Sequence, residues 1–448
     1  MQQDISVTRA ADAGLPEGGV LAGGAQAPAF SRSYRSYVLF CMMLVYVVNY
    51  LDRQILGILN PQIRAEFHVT NWQIGLLNGP VFALMYATLG IPIAIIADRV
   101  NRRNVIAGSL ALFSLMTFLS AYSAKFWQLM LARFGTGIGE AGTSPSVNSV
   151  LADLYPPEQR ASALAFYSAG LNIGLLFAFF GGGWIAEHYG WRVAFQAAGI
   201  PGFVLALLLL ATVREPKRGL VENLPDTTPA PSIWRTAGFL LGQPSFLWMS
   251  IGTGLSSFGG YAAIAFNPQF FQSAHHLSLH VIGLILSLLA GVAGAVGTYL
   301  FGVFADLFAK KDVRWNMYIL IWATFIGLPF TPIFYLSPNL TIAVAAAIIP
   351  SMIGACFVGP AYAMTQALVP LRMRARSAAI LLFILNIIGL ALAAPIVGKI
   401  ADLLEPAFGA QAIRYALLAG MVTSLMGAFC YWRAARTLKA DIARVAGA

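Results

Sequence analysis

Apolar runs of about twenty residues recur along almost the whole chain, with few charged residues inside them. A helix of that length, rising about 1.5 Å per residue, spans the hydrocarbon core of a bilayer. Of the 448 residues, 58% are hydrophobic and only 10% are charged, and the mean hydropathy is +0.72. Soluble domains carry about 25% charge. These values exclude a soluble enzyme, a disordered chain, a coiled coil and a collagen, and they predict a polytopic helical membrane protein.

Twelve of these runs are long enough to cross a bilayer, and we number them spans one to twelve. They cover residues 36–59, 72–97, 104–123, 127–152, 161–186, 191–213, 244–271, 281–305, 315–336, 339–368, 375–401 and 412–434. The most polar internal stretch lies between spans six and seven and contains four prolines. It predicts a linker, so the expected fold is an all-α membrane protein with two pseudo-symmetric six-helix bundles.

These boundaries predict five parts of the chain. They are a disordered cytoplasmic tail (1–31), an N-terminal bundle (32–213), a cytoplasmic linker (214–243), a C-terminal bundle (244–434) and a second cytoplasmic tail (435–448). The orientation follows from the positive-inside rule. With both termini in the cytoplasm, 21 of the 28 Lys and Arg residues face it, 4 face outside and 3 fall within spans. We therefore expect a multi-pass protein of the cell membrane.

The two predicted bundles carry matching sequence. At the end of span two, the small residue Ala94 is followed four positions later by the acid Asp98. A basic pair, Arg102 and Arg103, begins four positions after that acid. The same register recurs after span eight, at Gly302, Asp306, Lys310 and Lys311. A second repeat matches Arg160 and Asn172 of span five with Arg374 and Asn386 of span eleven. Repeated halves joined by a linker are typical of transporters.

Three stretches of the sequence resemble a known family. Residues 94–103 are similar to the small-x-x-x-Asp-Arg-x-x-Arg-Arg loop signature of the major facilitator superfamily, with Ala94 where Gly is usual. Residues 48–54 in span one, and residues 133–141 with 152–156 in span four, resemble the spinster branch, which includes sphingolipid and lysophospholipid transporters. This resemblance implies the major facilitator fold and transport by alternating access.

Four charged residues lie inside spans one and four: Asp52, Arg53, Arg133 and Glu140. A charge at mid-bilayer costs about 2.5–3.5 kcal/mol and persists when it is paired or faces a cavity. The helical rise places Asp52 and Arg133 at one level, roughly 10 Å below the outer surface, and Glu140 near the midplane. We expect a single network of two acids and two bases, in which the protonation of Glu140 could change with conformation. A lock that only holds the two helices together is the alternative.

The spinster resemblance implies roles for this network. Glu140 and Asp52 would couple protons to transport, and Arg53 and Arg133 would complete the network. The charge of Arg53 and Arg133 separately predicts that they contact the substrate head group. The loop signature predicts a cytoplasmic gate of ion pairs between the two halves, at Asp98, Arg99, Arg102 and Arg103. Solvated positive charge is the alternative interpretation of Arg102 and Arg103.

The C-terminal spans differ, because they hold no charged residue near mid-bilayer and only uncharged polar groups. A cavity with one charged and one apolar wall suits an amphiphile. We expect the C-terminal wall of that cavity to include Tyr261, Phe266, Asn267 and Tyr362.

The sequence thus predicts a proton-coupled secondary active transporter of an amphiphilic lipid, of the lysophospholipid or sphingoid type. Its partners would be protons, that lipid or a small organic substrate, and membrane lipids, with no nucleic acid, and it would function as a monomer. A carrier of organic anions or hydrophobic drugs is the alternative, and a membrane-embedded enzyme is the rival from another class.

The motifs G-x-x-x-x-G-K-[ST], H-E-x-x-H and G-x-S-x-G are absent from the sequence. We therefore expect no catalytic residue, cofactor or metal, and an outer loop without metal at His275, His276 and His280.

Overall fold

The computed structural model describes residues 30–97, 100–216 and 232–446, and these contain helices but no strand. The first part contains α1 (Arg32–Phe67), α2 (Asn71–Asn78), α3 (Pro80–Ala97), α4 (Arg102–Ser120), α5 (Phe126–Glu140), α6 (Thr143–Leu154), α7 (Pro157–Leu176) and α8 (Gly182–Thr212). The second part contains α9 (Ile233–Leu241), α10 (Pro244–His275), α11 (Leu279–Leu286), α12 (Gly294–Ala309), α13 (Trp315–Gly327), α14 (Phe330–Leu336), α15 (Leu340–Ile353), α16 (Val358–Ala367), α17 (Arg374–Leu385), α18 (Leu392–Phe408), α19 (Ala412–Ala419) and α20 (Met421–Ala446).

Seven helical stretches among the described residues are long and apolar enough to cross a membrane. Two of them, Glu158–Thr212 and Arg376–Val445, are 55 and 70 residues long. At about 1.5 Å per residue, each is long enough for two crossings of a core about 30 Å thick. Spans two, four and seven are helical as well: span two is formed by α2 and α3, span four by α5 and α6, and span seven by α10. The predicted all-α membrane fold is confirmed.

Gly190 marks the turn between spans five and six. Its backbone has φ 84° and ψ 163°, which interrupts α8. Glycine adopts a positive φ without the steric cost that a Cβ atom brings. The chain can therefore reverse within a stretch that is otherwise continuously helical.

Three spans contain a π-helical turn, at Phe177–Gly181 in span five, Ser287–Ala293 in span eight and Asn386–Ala391 in span eleven. Such turns insert an extra residue into a helix and often lie at functional sites. Each of the three packs against a span of the other half of the chain: α11, α7 and α3 respectively.

The two halves of the chain contact each other mainly at one end of the molecule. We call the end that holds Arg32 and Ala446 the termini side, and the end that holds Phe67 and His276 the far side. On the far side α2 packs on α18, and α8 packs on α11. For the described residues, the hydrogen bonds and ion pairs that join the halves lie in the far half of the molecule. The far side is therefore closed.

The last helix continues beyond the predicted end of span twelve. α20 runs to Ala446, and Ala434, Ala435 and Leu438 are buried. The carboxylate of Asp441 accepts a hydrogen bond from the backbone N–H of Ser245, at 3.0 Å, at the start of α10. Much of the segment predicted as a C-terminal tail is thus an ordered part of the helical structure. The domain boundaries themselves remain a prediction.

Candidate functional site

Glycines allow span four to approach spans two and three closely. A Cβ atom at Gly137 would lie 2.7 Å from the backbone oxygen of Phe82, and one at Gly139 would lie 2.7 Å from the backbone nitrogen of Phe113. Helix α5 ends at Glu140, whose carbonyl oxygen accepts a hydrogen bond from the Thr143 hydroxyl at 2.6 Å. The glycine-rich sequence therefore places Glu140 deep in the N-terminal spans, at a break between two helices.

Arg53 and Glu140 form an ion pair between spans one and four. The Arg53 Nε and Nη2 atoms both donate to Glu140 Oε2, at 3.0 and 2.5 Å. The Glu140 side chain is fully buried, and the Arg53 side chain is 11% exposed. Three aromatic rings surround the guanidinium at 4.7–5.3 Å, those of Tyr50, Phe82 and Tyr86. Charge, hydrogen bonds and ring faces thus fix the position of Arg53.

Arg133 and Asp52 lie next to this pair, at one level as the helical rise predicts. The Arg133 Nη1 atom donates to the backbone oxygen of Asp52 at 3.2 Å. The Asp52 carboxyl group is buried, and neither of its oxygens has a hydrogen-bond partner in the part of the chain that the structure describes. The Thr117 hydroxyl of α4 is its polar neighbour. The four charges are therefore clustered, but the only ion pair they form within the described residues is Arg53–Glu140.

A small cavity borders this cluster, between the two halves of the chain. Its N-terminal wall is polar and charged, with Arg53, Gln54, Asn78, Phe82 and Arg133. Its C-terminal wall is largely apolar, with Tyr261, Ile264, Ala265, Leu390 and Ala394. One wall can thus bind a charged group while the other contacts hydrocarbon.

The structure brings only some of the predicted cavity residues to this space. Tyr261 lines the cavity, and Tyr362 lies near Tyr261. Phe266 is fully buried in the apolar core, and Asn267 accepts a hydrogen bond from the Tyr335 hydroxyl at 3.0 Å. Neither Phe266 nor Asn267 lines the cavity, because Phe266 is packed in the core and the Asn267 side chain is bonded to Tyr335. The sequence analysis missed Asn78 and Leu390, which no motif distinguishes.

On the termini side, the predicted gate residues are only partly described. Asp98 and Arg99 lie outside the described residues. Arg102 is 1% exposed and donates to Asp153 at 2.5 Å and to Glu215 at 2.7 Å. The Arg103 guanidinium donates to Asn104 and to two backbone carbonyls at the end of α8. Within the described residues, the hydrogen-bond partners of both arginines lie in the N-terminal bundle or in the first residues after it.

Arg102→Gln is expected to lower the free energy of unfolding by about 2–4 kcal/mol, because two carboxylates would lose their buried cation. Arg103→Gln is the matched control, since its more exposed guanidinium should contribute below about 1 kcal/mol. Thermal unfolding of the purified variants in one detergent measures the difference. Equal stability of the two variants would contradict the expectation.

Comparison with known proteins is consistent with this architecture. Residues 42–384 match the model of the Major Facilitator Superfamily. An MFS-type efflux pump of Mycolicibacterium smegmatis is 33% identical over 406 residues, which are 90% of this chain and 92% of that protein. Human protein spinster homolog 1 is 32% identical over 222 residues, but these are only 48% of this chain and 42% of the human protein. The match to the human protein therefore spans less than half of its length.

The solved structures point to the same branch of the superfamily. The crystal structure of a bacterial homolog of the human lysosomal transporter spinster, in an inward-facing and unoccupied conformation, has a TM-score of 0.84 to this structure. The two chains are 30% identical, and the match covers 92% of this chain and 99% of the other. The chain therefore belongs to the Major Facilitator Superfamily, and it is a multi-pass membrane transporter of the spinster type rather than an enzyme.

Proposed function

We propose that this spinster-type transporter is proton-coupled and moves an amphiphilic lipid, of the lysophospholipid or sphingoid type, by alternating access. The observation that carries the proposal is the Arg53–Glu140 ion pair at the cavity between the two halves. A proton on Glu140 would neutralise its carboxylate and free the Arg53 guanidinium to bind an anionic group. Proton binding and substrate binding would then act on the same pair of side chains.

Glu140 and Asp52 are the proposed proton carriers. Both side chains are buried, and a buried carboxylate is stable only when it is paired or protonated. Glu140 has one oxygen, Oε1, and Asp52 has both oxygens without a hydrogen-bond partner among the described residues. Each acid therefore has an oxygen that is available to accept a proton.

The proposed substrate follows from the two walls of the cavity. Arg53 and Arg133 would contact a charged head group, and the hydrocarbon chain would lie along Tyr261 and Leu390 on the opposite wall. Tyr362 would extend this aromatic wall. A hydrophobic drug or a small organic anion is the second candidate, because it could use the same two walls, and one relative is named an efflux pump.

We also propose that the protein lies in the cell membrane with its termini side in the cytoplasm. The distribution of Lys and Arg in the sequence supports this orientation. The closed far side would then be the outer side. Asp98, Arg99, Arg102 and Arg103 would gate the termini side when that side closes. A single chain contains the whole cavity, so a monomer would suffice for transport.

Uptake into proteoliposomes under an imposed pH gradient tests the proposal. Labelled lysophospholipid and sphingosine are compared with a labelled aromatic anion, using vesicles without protein as the background. We expect gradient-driven movement of a lipid. Movement of the anion without any lipid would favour the second candidate, and movement that is independent of the gradient would contradict proton coupling.

A further inference from the structure

Two helix pairs close the far side, and each pair is packed through glycine. In the first pair, α2 and α18, a Cβ atom at Gly75 or Gly398 would overlap backbone atoms of the facing helix. In the second pair, α11 and the end of span five, a Cβ atom at Gly283 would overlap the backbone of the π-helical turn at Phe177–Gly181, and one at Gly183 of α8 would overlap the backbone of α11. The backbones of the two halves are therefore in direct contact at both places.

A carboxylate caps the facing helix next to each glycine contact. Asp402 of α18 accepts hydrogen bonds from the backbone N–H groups of Asn71 and Trp72, at 2.8 and 2.9 Å, at the start of α2. Glu187 of α8 accepts hydrogen bonds from the backbone N–H and from Nδ1 of His280, both at 2.8 Å, at the start of α11. The first N–H groups of a helix have no partner within the helix and favour a negative charge.

The two arrangements are copies of each other in the sequence. Gly75 and Gly283 are 208 residues apart, and so are the capped residues Trp72 and His280. Gly183 and Gly398 are 215 residues apart, and so are the capping acids Glu187 and Asp402. Each latch is thus a glycine contact plus a carboxylate cap, repeated by the pseudo-symmetry of the two halves.

Each cap joins the two halves of the chain. The acid lies on one half and the capped helix begins on the other, so both caps must break when the halves separate on the far side. The backbone N–H of His280 holds the pKa of the Glu187 carboxyl below its usual range, so this acid is charged at neutral pH. The first latch has further support from the Arg64–Glu405 pair at 3.0 Å and from Gln269, which donates to Asn71.

We propose that Asp402 and Glu187 are the gate residues of the far side, and that their caps hold the transporter in the conformation that is closed there. They act by positioning the helices and do not touch the substrate cavity. The proposal rests on alternating access from the proposed function but not on the identity of the substrate or on proton coupling. On the proposed orientation, the two latches form the outer gate.

Accessibility of the cavity from the far side tests the two latches. Ile264→Cys places a thiol in the cavity. The three native cysteines should contribute little to the labelling, because all of them are buried. A membrane-impermeant maleimide is applied to each side in turn, and the ratio of the two labelling rates is measured. Loss of an N-cap acceptor changes a helix equilibrium by about 2- to 30-fold. We therefore expect Asp402→Ala and Glu187→Ala each to raise far-side labelling several-fold, and the double variant to raise it more.

Glu66→Ala is the matched control. Glu66 is also an acid on the far side, but its partners Trp191 and Arg192 belong to the same half of the chain. We expect it to leave the labelling ratio unchanged. An unchanged ratio in both single variants and in the double variant would overturn the proposal.

A second measurement separates gating from structural damage. A merely structural role would lower thermal stability and raise labelling from both sides together, which would also overturn the proposal. If the double variant does not fold, Asp402→Asn with Glu187→Gln keeps the side-chain size while removing both charges. No substrate or pH gradient is used, so the result does not depend on the proposed cargo.

Discussion

Glu140→Gln is expected to abolish pH-gradient-driven transport while leaving the protein folded. The amide keeps an oxygen in the position of Glu140 Oε2, which accepts both hydrogen bonds from Arg53. It cannot gain or lose a proton, so the pair can no longer change its charge during the transport cycle. Accumulation of substrate should therefore fall to background, whereas exchange of substrate across the membrane without a gradient should persist.

Initial uptake rates over a series of imposed pH gradients measure this effect. Glu66→Gln makes the same chemical change at a partly exposed acid on the far side and should retain the response of the wild type. If Glu140→Gln still follows the gradient as the wild type does, Glu140 is not the proton carrier. Asp52, which is also buried, would then be the next residue to test.

The sequence predicts the all-α membrane fold well because its main signal is local. Runs of apolar residues and the positions of Lys and Arg determine where spans lie, and no long-range contact is needed to read them. The cost of a charge inside a bilayer likewise identifies Asp52, Arg53, Arg133 and Glu140 without a structure. The helical rise also predicts the depth of each of these residues in its span, whereas the contact between spans one and four is seen only in the structure.

The partners within the cluster were not predictable from the sequence. Arg53 pairs with Glu140, whereas Arg133 donates a hydrogen bond to the backbone oxygen of Asp52. Which of two nearby bases meets an acid depends on how each helix is rotated, and a helix turned by one residue moves a side chain by about 100°. The same limit explains Phe266, which the sequence analysis placed at the cavity and which faces the core.

The far-side latches also escaped the sequence analysis, for a different reason. Asp402 and Glu187 lie at the ends of spans, where an acid is common and attracts no notice. Their importance arises from two helices that begin on the other half of the chain, at residues 71 and 279. Each glycine pair has the same spacing in the sequence as the residues of its caps, 208 residues for one set and 215 for the other, but only the packing of the helices shows that these positions are in contact.

Arg53→Gln is expected to have the largest effect of any single change at the cavity. Glu140 would become a fully buried carboxylate without its ion-pair partner, and breaking a buried ion pair in this way costs about 3–5 kcal/mol. The aromatic faces of Tyr50, Phe82 and Tyr86 would also lose the cation that they surround. We expect a lower unfolding temperature and transport at background level.

Arg53→Gln combined with Glu140→Gln separates the two consequences, because the double variant contains neither member of the ion pair. Replacing both charged partners removes the unpaired charge, so most of the lost stability should return. Transport should not return, since the double variant has neither a group that exchanges a proton nor a guanidinium at Arg53 for the head group. Thermal unfolding and uptake are measured on the same preparations. Recovery of both stability and gradient-driven transport would mean that Arg53 and Glu140 only hold spans one and four together.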